Sequence, residues 1–576
     1  MHKLIEHPDG LNPYIGPLQK APVIAVDTET TGLDPHEDKL RLIQIACEGA
    51  PVLIIDCFSF LPCGREALQK IMASDAVKVL HNAKFDLKFL MREGMRPHPV
   101  FDTMLAAMLL RASGGPNRFS LQALCAHYLN IHLDKSEQAG PWGGGLSPTQ
   151  LEYAARDALS LLRLREILVN EIKANDLQTI AAIEFGCAVA LAHIEYHGIH
   201  IDPIKWTALT KKTEREYTAG RNGLCDFTGP PIRQTTMWGV DREYGGNFDS
   251  GPYMIGLLKK HGIAVTGTAK SDLYPYRDHP LVKTFAAYRK ASKSLSSFLR
   301  PIMSMPGFER CRLHPQYHQI SAWSGRMSCD RPNIQQIPRD PAFRACFTAP
   351  EGKALIIADY SQIELRVAAQ ISGDRQMIKA YREGLDLHLL TASLIMGIPQ
   401  DGVTKQKRQA AKAVNFGLIF GMGAQGLQQY ARQSYGTEMT LQEAALFRNR
   451  FFRAYDGIER WHAELKRNPP REGRTLAGRK FSYGESAPIP VTANTPVQGT
   501  AADIMKKALA LLVLRIPEPA RIVAVVHDEI IVECDEGRAE EVAALNKGVM
   551  EEAGNSILRD VPVVAEAVIA GNWAEK

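Results

Sequence analysis

Two stretches of this 576-residue chain put carboxylates where chemistry could be done: Asp359, in DYSQIELR, and Asp528, in VHDE. Asp359 follows KALIIA (353 to 358), an apolar run that reads as a buried strand, and RIVAVV and IIVEC flank His527-Asp528-Glu529 like the arms of a hairpin. Two convergent carboxylates can hold two Mg²⁺ roughly 3.5 to 4 Å apart, activating an attacking oxygen and steadying a leaving pyrophosphate. Taken singly, Asp359 reads equally well as a strand cap, and Asp528 with Glu529 as polar turn residues. Between them lies KQKRQAAKAVNFGLIF (405 to 420), in which Arg408, Lys412, Phe416 and Phe420 recur every four residues along one helical face. Two cations followed by aromatic rings suit a nucleoside triphosphate, while the plainer reading is a solvated basic stripe beside an apolar one.

A second constellation lies near the amino terminus. VIAVDTETTGLDP sets Asp27 and Glu29 on alternate residues of a strand, so both project from one side. NAKFD adds Asp86 after the apolar VKVL, and LEYAARDALSLL places Tyr153 and Asp157 one helical turn apart. Four carboxylates and a phenol can bind two cations and orient a water onto a phosphodiester. A lone D-x-E is common at strand ends. The series D-x-E, N-x-x-x-D, Y-x-x-x-D is specific, and it resembles the 3′-5′ exonucleases of proofreading domains and ribonuclease D relatives.

DYSQIELR (359 to 366), R-x-x-x-K-x-x-NFG (408 to 417) and VHDE (526 to 529) resemble, in order, the three polymerase motifs of the DNA polymerase I family, or family A. SGRMSCDRPNIQQIP (324 to 338), DLH followed by TA (386 to 392), NTPVQGTAAD (494 to 503) and VPVVAEAVIAGNW (561 to 573) extend the resemblance over essentially the whole chain. It implies an α/β and α+β multidomain protein in which a ribonuclease H-like exonuclease domain precedes a right-hand polymerase domain. The expected boundaries are exonuclease 1–175, thumb and connecting helices 176–310, first part of the palm 311–400, fingers 401–490 and second part of the palm 491–576. The activity implied is template-directed DNA synthesis with proofreading, on primer-template DNA and dNTPs, with two Mg²⁺ per active site and Mn²⁺ able to substitute.

By the same resemblance Asp359, Tyr360 and Asp528 hold the polymerase metals, and Asp27, Glu29, Asp86 and Asp157 the exonuclease metals, with Tyr153 assisting. Arg408, Lys412, His388 and Gln362 serve the nucleotide, Phe416 and Phe420 face its sugar and base, and Glu364 gates the 2′ position. Arg326 and Gln498 are expected to test the minor groove at the primer end, where acceptors occur on every correct base pair. His527 is expected to hold the primer terminus; Asn333, Gln336 and Arg344 to contact DNA; and Arg289 and Lys293, in YRKASK, to grip the duplex as part of the thumb.

The sequence also departs from the family. Phe420 stands where tyrosine is usual, FSYGESAPIPVTA (481 to 493) is short and lacks an arginine-bearing stretch, and the chain begins at the exonuclease with no separate 5′ nuclease expected. A net charge of +5, from 68 basic and 63 acidic residues, leaves nucleic-acid binding to local clusters such as Lys211, Lys212 and Arg215. Ten cysteines without C-x-x-C or zinc-like spacing read as buried thiols in a reducing compartment. With no signal peptide and no apolar run of spanning length near the end, a cytoplasmic location is expected, in a nucleoid or a phage-infected cell, with no membrane role. Replisome or processivity factors are further expected partners, with 228–246 a candidate docking loop. Gly421 to Gly426 spells G-x-G-x-x-G but follows a helical run, not the strand a dinucleotide turn requires. The competing functions are a ribonuclease D-like 3′-5′ exonuclease whose C-terminal region only binds nucleic acid, and a noncatalytic primer-template binding module.

Overall fold

The computed structural model describes residues 2–134, 140–228, 246–485 and 487–576, and the backbone of 232–235 and 241–244. The candidate docking loop at 228–246 lies largely outside the described residues.

A six-stranded mixed sheet organises the N-terminal domain. Its strands are β1 (His2–Ile5), β2 (Val23–Thr30), β3 (Leu40–Ala46), β4 (Val52–Asp56), β5 (Val77–Leu80) and β6 (Val100–Asp102), in the spatial order β1-β4-β3-β2-β5-β6. β2 is central, antiparallel to β3 and parallel to β5, so its C-terminal half delivers Asp27 and Glu29 opposite Gln44 and Leu42. Helix α1 (Lys84–Arg92) starts just beyond β5, and α2 (Pro148–Ala174) packs across the sheet. A capping box between Ser147 and Gln150 fixes where α2 begins, and hence which of its faces presents Tyr153 and Asp157.

The sequence predicts one long helix from Leu168 to His197. The structure breaks it into α2 and α3 (Gln178–His197). Asp176 at the break adopts a left-handed φ of 54°, and Asn175 turns its amide onto the carbonyl of Glu171. Asx residues tolerate this conformation, and periodicity alone cannot register it. α3 is long and apolar enough to cross a membrane, but two-thirds of it is buried. It packs between α1 and the C-terminal domain.

Helices α4 (Pro203–Thr228) and α5 (Pro280–Ser294) pack along one another through a stacked pair, Tyr217 and Tyr288, with ring centroids 5.2 Å apart. Gly220 allows the close approach, since a Cβ there would press on the Tyr288 backbone. Arg289 and Lys293 ride the exposed side of α5, and Lys211, Lys212 and Arg215 that of α4.

The C-terminal domain is built on four antiparallel strands. β7 (Lys353–Tyr360) pairs with both β9 (Glu529–Asp535) and β10 (Ala565–Ala570), and β8 (Arg521–Val526) closes the other edge. β7 is nearly all buried, as its unbroken apolar run requires. α10 (Ala539–Asn555) packs on β7, β9 and β10, and α3 on β8; four further helices belong to this domain, α6 (Ile363–Ser372), α7 (Leu387–Met396), α8 (Lys405–Ile419) and α9 (Ile489–Arg515), of which α9 packs along α3, α6 and α10 and α7 along α8. α9 runs through Pro496, which sits inside it. Proline cannot donate to the carbonyl four residues back, that of Thr492, and the Tyr483 hydroxyl donates to it instead at 3.1 Å.

Candidate functional site

Asp359 is the penultimate residue of β7, directly across the ladder from Glu529. β8 and β9 are joined by the two-residue turn His527-Asp528, in which His527 takes a left-handed φ of 57°. The backbone N–H of Tyr360 donates to the Asp528 carbonyl at 3.1 Å, tying the two strand ends together. Burial, and then the neighbouring Asp359 carboxylate, push the Asp528 carboxyl above its usual range. Two mutually repelling carboxylates at adjoining strand ends are an anionic site that a hard cation would relieve.

A cavity of about 250 Å³ opens beside the Asp528 member of this pair, lined by Arg326, Gln335, Tyr360, Gln362, Glu364, Phe416, Gln498, His527 and Asp528 among others. Seven residues singled out from sequence beside Asp528 therefore share one wall. Gln335, not Gln336, lines the cavity; Gln336 is exposed on the other side of its short turn, and Asn333 keeps an unpartnered, buried Oδ1. The Tyr360 side chain is buried, with its hydroxyl on the Met550 carbonyl, which leaves only its backbone for the site. Gln498 stands in the interior of α9, so it does not cap that helix. Gln362 adopts a left-handed φ of 55° where β7 turns into α6, and it accepts from the Tyr381 hydroxyl at 3.2 Å.

Glu364 pairs with Arg326, and with neither Arg366 nor Lys412. Burial pushes its carboxyl above the usual range despite that guanidinium. On α8, Arg408 bonds Asp386 at 2.7 Å, and Lys412 makes no ion pair with a described residue. His388 is 2% exposed and hydrogen-bonded to Asn415 at 2.9 Å. Burial holds its imidazole neutral, with the pKa lowered to about 4, and in this arrangement it supports α8 behind Phe416. Phe420 ends α8 and packs on the core beneath, away from the cavity. Arg289 donates to the Thr268 carbonyl and lies over Phe285.

The C-terminal segment closes the back of the site. The Trp573 indole donates to Glu529 at 2.5 Å and lies under the Arg344 guanidinium, 4.3 Å from the ring centre. The Lys576 ammonium bridges Glu529 at 2.5 Å and Asp359 at 2.8 Å. Sequence reading missed Glu529 as an anchor and Lys576 altogether, because nothing in GNWAEK marks which strand its last side chain will meet.

In the N-terminal domain Thr28, between Asp27 and Glu29, donates to Asp86 at 2.6 Å. Asp86 is buried in the first turn of α1, and burial followed by the Asp27 charge pushes its carboxyl well above the ordinary range. Burial, then Asp157, Glu29 and Asp27, push the Tyr153 phenol up likewise. All five predicted residues thus meet on one electrostatic neighbourhood. Asp102, which the sequence reading passed over, accepts from the backbone N–H groups of Asn82, Ala83, Met104 and Leu105, and so fixes the turn that carries Asp86. Its signal was an Asp-Thr at a helix start.

The donors at both sites are carboxylates, the ligands of hard cations. Among the described residues no three His, Cys, Asp or Glu side chains form a ready cage for an ion.

A buried network joins the two halves. Glu184 on α3 accepts from Arg479 and from Lys506 (2.6 Å), and Arg479 also forks onto Asp503 at 2.7 and 2.9 Å. All four are at most 3% exposed. Gly325 packs so closely on Arg479, and Gly499 on Ser324 and Thr475, that any side chain would collide. The network therefore shores up both the loop bearing Arg326 and the stretch of α9 bearing Gln498.

The family model for DNA polymerase family A matches residues 255–575, and that for a 3′-5′ exonuclease matches residues 3–173. Similar proteins include the DNA polymerase I of Aquifex aeolicus, 36% identical over 602 residues, covering 98% of each chain. The DNA polymerase I of Pseudomonas aeruginosa is 30% identical, across 98% of this chain and 65% of that protein. A solved structure described as the POL domain of Pol1 from M. smegmatis in complex with DNA primer-template and dNTP has the same fold, with a TM-score of 0.82 at 24% identity, covering 100% of this chain and 99% of that one.

Proposed function

This chain belongs to DNA polymerase family A and is a DNA-directed DNA polymerase with a 3′-5′ exonuclease domain, and on that premise we propose how its residues divide the work. The observation that carries the reading is the convergence of Asp359 and Asp528 at adjoining strand ends, with Asp528 in a cavity walled by Arg326, Glu364, Phe416 and Gln498. Asp359 and Asp528 would hold two divalent cations, Mg²⁺ or Mn²⁺, which would supply activation of the primer 3′-OH and charge neutralisation at the transferring phosphate. Arg408 and Lys412, a turn apart on α8, meet the triphosphate, and Arg408 exchanges Asp386 for phosphate oxygens when it does.

Phe416 packs against the sugar, and Glu364 fills the space beside C2′. Arg326 and Gln498 donate to minor-groove acceptors of the newly made pair, which tests its geometry and ignores its sequence. Arg326 must leave Glu364 to do so, which couples the sugar gate to the pairing test. His527 steadies the primer terminus, and Arg344 steadies Glu529 and Trp573 beneath. Arg289 and Lys293 contact the duplex backbone from α5.

At the second site Asp27, Glu29, Asp86 and Asp157 would hold the divalent ions, which would supply activation of a water, and Tyr153 orients the attacking water against the 3′-terminal phosphodiester. Primer-template DNA and dNTPs are the substrates, the cytoplasm the place of action, and processivity factors remain candidate partners.

Primer extension with Mg²⁺ and dNTPs, read on a gel, tests the proposal. Template-directed elongation supports it. Shortening of single-stranded 3′ ends without elongation would leave a ribonuclease D-like nuclease, and neither activity would leave a binding module.

A further inference from the structure

We propose that Lys576 is a built-in counter-cation of the polymerase site, a positioning residue that holds Asp359 when no divalent ion is there and must be displaced when one binds. The inference rests on the reading of Asp359 and Asp528 as metal ligands.

The ammonium is delivered by a rigid device. Trp573 is fully buried and held by Glu529, and Glu575 folds back to accept from the Gly571 backbone at 2.7 Å and from the Asn572 amide. This fixes the short turn Trp573–Glu575 and aims the next side chain at the strand ends. Lys576 Nζ there meets Asp359 Oδ2 at 2.8 Å and Glu529 Oε2 at 2.5 Å.

The two carboxylates differ in what else they have. Glu529 is buried, keeps the Trp573 indole, and has Arg344 3.9 Å away, so it stays compensated if the ammonium leaves. Apart from Lys576, no cationic side chain among the described residues pairs with Asp359, which faces the acidic Asp528. The lysine thus offsets the repulsion between Asp359 and Asp528 that a divalent ion would otherwise offset. It occupies one of the oxygens such an ion needs, so the two cations compete, and the pair sets a threshold concentration for loading.

The test measures ion binding without catalysis. In an Asp27→Ala, Glu29→Ala, Asp86→Ala, Asp157→Ala background, which removes all four carboxylates assigned to the exonuclease site, Mn²⁺ is titrated against the protein without DNA or nucleotide, and free ion is read by electron paramagnetic resonance. Lys576→Gln, with Lys576→Met as a second variant, is expected to tighten Mn²⁺ binding about fivefold, or about 1 kcal/mol, the upper range for a partly exposed pair. Lys576→Arg should bind as the parent does. In EDTA the Gln and Met variants should melt lower than the parent, and Mn²⁺ should stabilise them more. Unchanged or weaker Mn²⁺ affinity in a folded variant would overturn the counter-cation role. A background protein that binds no Mn²⁺, before Lys576 is touched, would instead overturn the assignment of Asp359 and Asp528 as ligands, and this inference with it.

Discussion

Glu184→Gln removes one charge, and almost no volume, from the buried network that joins α3 to the C-terminal domain. Arg479 keeps Asp503 at 2.7 and 2.9 Å, but Lys506 loses its only carboxylate partner among the described residues, at a site with no exposure. Breaking a buried ion pair from one side costs about 3–5 kcal/mol. For a cooperative unit of several hundred residues that lowers Tm by about 3 to 6 °C. Lys506 can limit the loss by shedding its proton, since burial already pulls its pKa below the ordinary value.

The sign with pH follows. An unfolded lysine binds a proton that the buried Lys506 of the variant does not, so stability of Glu184→Gln should rise from neutral pH toward 10, more steeply than in the parent. On the acid side, burial alone would raise Glu184, yet Lys506 and Arg479 hold it below its usual range. Its contribution is present above the unfolded value of about 4.3 and is lost as pH falls through the lower folded value, a loss the Gln variant lacks. Urea and thermal melts of both proteins between pH 4 and 10 give the comparison. A cost under about 1 kcal/mol at pH 7, with parallel pH profiles, would refute the reasoning.

Two further outcomes concern the nucleotide. Glu364→Ala is expected to raise ribonucleotide insertion relative to dNTP by more than about tenfold, about 1.4 kcal/mol of lost discrimination, while lowering dNTP use; single-nucleotide kinetics with both sugars in an exonuclease-dead background measure it, and equal slowing of both would make Glu364 a support of Arg326 alone. Phe416→Tyr adds a hydroxyl where the missing 3′-OH of a dideoxynucleotide leaves a gap, so it should raise dideoxynucleotide use severalfold relative to dNTP. An unchanged ratio in competitive insertion would make Phe416 a packing residue.

Local signals in the sequence specify the placement of the side chains singled out for chemistry. D-x-E on a strand, Tyr-x-x-x-Asp on a helix and Arg-x-x-x-Lys on another each specify a face, and the structure puts those faces where the strand and helix periods require. Long-range choices were illegible. No pattern announces that Arg326 turns to Glu364, that His388 retreats behind Asn415, or that Lys576 returns to Asp359, because each depends on which of several equivalent partners the fold brings nearest. The break at Asp176 and the continuation of α9 through Pro496 were lost for a different reason: each goes with a side-chain hydrogen bond to a helix carbonyl, from Asn175 to Glu171 and from Tyr483 to Thr492, that periodicity does not register.

The two-site claim is tested most directly by measuring extension and 3′-end degradation side by side in purified Asp359→Ala, Asp528→Ala and Asp27→Ala/Glu29→Ala proteins that still melt cooperatively. Either polymerase-site change should abolish extension and leave degradation of single-stranded 3′ ends intact, and the exonuclease double change should do the reverse. Loss of both activities from a single site's change would contradict it.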